Sequence, residues 1–111
     1  MTKIGEGGSI PQPSGEVYHK SLQEGISKFE NALIGYQIPK NPEEGHRLRS
    51  IMDQQMELIQ SSINEIKRLG IHKQGDVVKS DYNHYMTDPS EQNLTALQQD
   101  LATLKEYNVM S

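Results

Sequence analysis

Asp81, His84 and Asp88 are the tightest group of chemistry-bearing side chains in this sequence. On a helix, positions 81 and 84 share a face, so a carboxylate there can orient an imidazole or join it in holding a divalent cation. That spacing supports one enzymatic reading, a small metal-dependent enzyme using Asp81, His84 and Asp88. The other three histidines, His19, His46 and His72, are far apart in sequence, and no HExxH or second histidine at i+4 occurs. The cluster therefore reads as structural or solvent-facing, with no metal and no cofactor implied.

Other chemistry is equally sparse. GEGG at Gly5–Gly8 has no lysine following it as a phosphate loop requires, and neither Ser14 nor Ser61–Ser62 sits in a GxSxG turn. Lys67 and Arg68 read as the basic end of a helix, and a net charge of −4 argues against nucleic acid as partner. Met52, Met56 and Met86 could repack around a partner but read as ordinary core at positions 52 and 56. Tyr82, Tyr85 and Tyr107 could act as core or as interface anchors. The expectation is a protein that is not an enzyme.

The elements that carry these residues are read from apolar spacing. There is no cysteine, and Leu, Ile, Val and Phe make up 24 of 111 residues, a low share that favours helices completing their burial on another chain. Residues 1–14, rich in Gly and Pro, read as a flexible arm ahead of a single helical domain at 15–111. Leu22, Ile26, Phe29, Leu33 and Tyr36 are spaced 4, 3, 4, 3, which predicts a helix over 15–37. NPEEG then supplies Asn41 as cap, Pro42 in the first turn and Glu44 three residues after the cap. Leu48, Met52, Met56, Ile59, Ile63 and Ile66 continue as one stripe, predicting a helix over 42–69 with Gly70 as its left-handed stop. A short helix is expected at about 76–86. A last helix is expected to begin with Asp88 as cap, Pro89 and Glu91, carrying Leu94, Leu97, Leu101 and Leu104 on one edge.

The fold class is all-α, a helical hairpin or small antiparallel helix bundle. The residues expected to meet a partner or a second copy are Leu22, Ile26, Phe29, Leu33, Met52, Met56, Ile59, Ile63, Ile66, Leu94, Leu97, Leu101 and Leu104. No apolar run is long enough for a membrane span or a Sec-type signal, so the expected setting is cytoplasmic, or secretion by a route that needs no signal.

The stretch DPSEQNLTALQQDLATLKEYN at 88–108 resembles the proline-containing turn and Leu/Gln-rich helix of type III secretion needle and inner-rod subunits. The shared features are Asp88-Pro89-Ser90, Leu94 and Leu97 with Gln98, and Glu106-Tyr107-Asn108. The resemblance implies a small helical component of a bacterial secretion apparatus, or a chaperone of one, that acts by helix packing. From it and from the stripes, the expected function is a non-enzymatic protein-interaction module: a self-assembling subunit, chaperone or adaptor.

Overall fold

The computed structural model describes residues 15–109. Four helices follow one another: α1 (Gly15–Gln37), α2 (Pro42–Glu65), α3 (Leu69–Thr87) and α4 (Glu91–Val109). Their connections are four, three and three residues long, which forces each helix to run back beside the one before it. α1 packs most closely on α2 and α3 on α4; α2 meets α3 and α4 closes onto α1, leaving α1/α3 and α2/α4 as the diagonals. The result is a small antiparallel four-helix bundle, with no strand among the described residues. The 1–14 arm lies outside them.

The 4, 3, 4, 3 spacing explains the closure. A stripe at that period occupies one narrow face, and four such faces turned inward make a single core. Leu22, Ile26, Phe29, Met52, Ile59, Val78, Leu97, Leu101 and Leu104 are all fully buried in it. Phe29 meets Tyr82 across the α1/α3 diagonal edge-on, with ring centroids 5.1 Å apart and planes at 76°. Of the thirteen positions expected to meet another chain, twelve lie in this core and Leu94 packs half-buried against it. Within this chain the stripes therefore cover one another.

Polar contacts hold the helices in register. Lys105 Nζ reaches Glu30 Oε1 at 2.9 Å between α4 and α1. Asn108 Nδ2 donates to the His19 carbonyl at 2.9 Å, and the His19 ring contacts Asn108 Oδ1. Gln60 Nε2 donates to the Gly75 carbonyl at 3.1 Å, joining α2 to α3. That bond fits a close approach, because a Cβ at Gly75 would stand 2.6 Å from Ile63 Cδ1.

Helix ends depart from expectation in three places. α2 stops at Glu65, not 69: Ile66 turns extended (φ −91°, ψ 122°), and its N–H returns to the Ile63 carbonyl at 3.0 Å. Burying both Ile66 and Ile71 requires the chain to reverse between them, so Lys67 and Arg68 form the connection and Gly70 lies inside α3. α3 is correspondingly longer than the expected 76–86. Its inner face is Ile71, Gly75, Val78, Tyr82 and Tyr85, another 4, 3, 4, 3 stripe disguised by a glycine. Finally, α4 begins at Glu91 with Ser90 as cap, its Oγ accepting from Asn93 N–H at 3.1 Å. Asp88 instead closes α3, donating its N–H to the His84 carbonyl at 2.8 Å. No helix among the described residues is long and apolar enough to cross a membrane.

Candidate functional site: an open groove at one end of the bundle

At one end of the bundle α1 and α3 finish while α2 and α4 begin. Both starts are fixed by side-chain caps. Asn41 Oδ1 accepts from Glu44 N–H at 2.7 Å, and the Glu44 carboxylate takes the N–H of Lys40 at 2.9 Å, one residue earlier than a reciprocal box would place it. Ser90 caps α4, and Asn93 Nδ2 ties back to the Asp88 carbonyl at 2.8 Å.

Between these ends lies an open groove of about 630 Å³. Tyr36 and Tyr85 contribute an edge-to-face pair with centroids 6.5 Å apart and planes at 69°. Leu94 and the prolines 39, 42 and 89 add apolar wall, and His46 and Arg49 stand one turn apart on α2. Tyr85 is buried, and burial with Tyr36 beside it pushes its phenol up from the ordinary tyrosine value. His46 and Arg49 are exposed and make no hydrogen bond or ion pair with the described residues. The groove thus offers an apolar, aromatic floor, with His46, Arg49 and Glu91 also in its lining. Such a surface can hold a segment with apolar side chains and a carboxylate or carbonyl to accept from Arg49.

The enzymatic cluster suggested by spacing is not assembled. Asp81 turns toward α4, where its charged neighbour is Asp100, whereas His84 and Asp88 are exposed. Among the described residues no three His, Asp or Glu side chains are grouped so as to hold a metal ion. The i,i+3 relation of Asp81 and His84 fails because position 81 sits at the edge of the α3/α4 seam and position 84 sits outside it.

The remaining singled-out residues serve the fold. Met52 and Met56 are buried, and Met86 packs on the core half-buried. Tyr82 is buried and donates its phenol proton to the Asp53 carboxylate; burial first, then that bond, raises its proton affinity. The His72 ring contacts the Ile66 carbonyl at 2.5 Å and so helps to fix the α2/α3 turn. Ser62 is buried and Ser61 exposed, while Gly5–Gly8 and Ser14 lie outside the described residues. Asp100 and the groove pair His46 and Arg49 are the residues that spacing missed. His46 and Arg49 are an i,i+3 pair on the polar face of α2, a signal visible in the sequence once that face is known to end at a cavity.

Comparisons with protein-family models, with curated proteins and with solved structures find no match to this chain.

Proposed function

We propose that the chain is a helical protein-interaction module, a chaperone or adaptor in type, that receives a segment of a partner protein in the groove between the α1/α2 and α3/α4 turns. The carrying observation is that groove: about 630 Å³, open to solvent, walled by Tyr36, Tyr85 and Leu94 and flanked by the exposed Arg49. Tyrosine and arginine are the side chains that most often dominate binding energy at protein interfaces. The end of α1 and the turn after it carry further exposed apolar side chains, Ile34 at 64% and Ile38 at 86% exposure. Closed internal stripes leave this outer surface for a partner. The likeness of residues 88–108 to secretion needle and inner-rod subunits makes a secretion apparatus the setting in which to seek that partner.

The test is capture from the native source with tagged full-length chain, followed by mass spectrometry. His46→Glu with Arg49→Glu should abolish capture of the specific partner and leave helicity unchanged, while Lys28→Glu on the outer face of α1 should bind as wild type. A partner retained equally by all three proteins, or none above a tag-only control, would refute the groove as the contact surface.

A further inference from the structure

Asp81 and Asp100 face each other across the seam between α3 and α4, and Asp81 Oδ2 is sealed from solvent without a hydrogen-bond donor. The α4 backbone at this point is held close to α3, because Gln74 Nε2 donates to the Asp100 carbonyl at 2.8 Å and the adjacent Leu97 and Leu101 are fully buried. Gln74 thus ties α3 to α4 at the residue that carries the second carboxyl group.

Ionised carboxylates only accept hydrogen bonds, so two charged groups here leave a sealed oxygen unpaired and repel each other. One proton turns Asp81 into a donor toward Asp100. Burial first, then the hydrogen bond and the like charge from Asp100, raises Asp81 from 3.8 to about 7. Among the described residues no counter-charge is at hand from the neighbouring elements. α4 presents Asp100. α2 turns Asp53 and Glu57 toward α3, but Asp53 is taken by Tyr82, and Glu57 shares a separate groove with Lys79. On α3 itself His84 lies one turn on and is exposed.

We propose that Asp81 and Asp100 form a proton-dependent latch: they share one proton while α4 is docked on α3, and its loss loosens the leucine edge of α4 from the bundle. The sign follows from the direction of the shift. A group whose folded value is raised gives stability that is fully present below its unfolded value, 3.8, and is lost as pH rises through about 7. Opening of α4 therefore increases between those limits, by at most about tenfold per pH unit for one proton, and levels off above them.

The experiment is a carboxyl-carbon NMR titration of the full chain and of Asp100→Asn, with amide exchange of α4 followed in wild type and Asp81→Asn. Asp81→Asn keeps the shape and supplies a permanent donor. The expected results are an Asp81 midpoint near 7, a clear downward move of that midpoint in Asp100→Asn, and α4 opening that rises with pH in wild type relative to Asp81→Asn. An Asp81 midpoint in the ordinary carboxylate range, a midpoint unmoved by Asp100→Asn, or parallel opening curves for wild type and Asp81→Asn would overturn the latch.

Discussion

Replacing Gly75 with alanine should destabilise the bundle, although the same change in a helix interior ordinarily stabilises. Alanine gains about 1 kcal/mol over glycine from helix propensity. At position 75 the new Cβ would stand 2.6 Å from Ile63 Cδ1, well inside ordinary carbon contact, and Ile63 is itself buried at 2% exposure. Overpacking of this kind costs roughly 1–3 kcal/mol, so the net effect should be a loss of up to about 2 kcal/mol. The partner substitution Ile63→Val removes the offending methyl. The remaining Ile63 carbons stand 3.5 and 3.7 Å from the same Cβ, which is ordinary contact. Ile63→Val alone should cost about 0.5–1.5 kcal/mol, but in that background Gly75→Ala should become stabilising. The two changes should thus be coupled by about 1–3 kcal/mol. Gly45→Ala is the internal standard, since its nearest neighbour, Pro39 Cγ, lies at 3.6 Å; it should stabilise by up to about 1 kcal/mol. Urea denaturation followed by circular dichroism gives all four values. Gly75→Ala stabilising the protein as much as Gly45→Ala, with no coupling to Ile63, would refute the close α2/α3 approach.

Further outcomes are expected elsewhere. Ser90→Ala should cost about 1 kcal/mol as the loss of a helix cap, and Asp88→Ala distinctly less, because Asp88 acts through its backbone; the reverse order in urea melts would return the cap to Asp88. Leu97→Asp and Ile59→Asp place a carboxylate among fully buried side chains and should abolish the cooperative melt, whereas His84→Ala on the exposed face should leave it intact. Tyr82 and Tyr85 have folded proton affinities raised above the unfolded value of about 10, chiefly by burial. Their contribution is complete below that pH and is lost as pH rises through the folded values. In an alkaline absorbance titration these two phenols should ionise together with loss of helicity, and Tyr82→Phe should shrink that step. Ionisation of all tyrosines before any loss of helicity would contradict their burial.

How far the sequence reveals the structure depends on the kind of residue. The limits of α1 follow from Leu22 to Tyr36 because every seam position there is apolar and Pro39 forbids continuation. The α3 seam is hidden because one of its members is Gly75, chosen for closeness and invisible to an apolar count. At the start of α4 both Asp88 and Ser90 are competent caps, and the choice falls to Ser90 because α3 runs through Thr87 and uses Asp88 as its own end. Asp81 looks paired with His84 by spacing, yet its neighbour is Asp100, nineteen positions on, brought in by the packing of two helices. The groove is the least legible feature. Tyr36, His46, Tyr85 and Leu94 come from four helices, and only the way the two hairpins meet makes them one wall.

The low content of large apolar residues suggests stripes that need another chain, whereas the bundle closes them on one another, and that closure is open to a direct measurement. The urea midpoint of the full chain, followed by circular dichroism over roughly a thousandfold range of protein concentration, separates the two cases by mass action. Burial within one chain requires the same midpoint at every concentration. A midpoint that climbs steadily with concentration would place the burial of Leu97, Leu101 and Ile59 between chains and contradict the bundle.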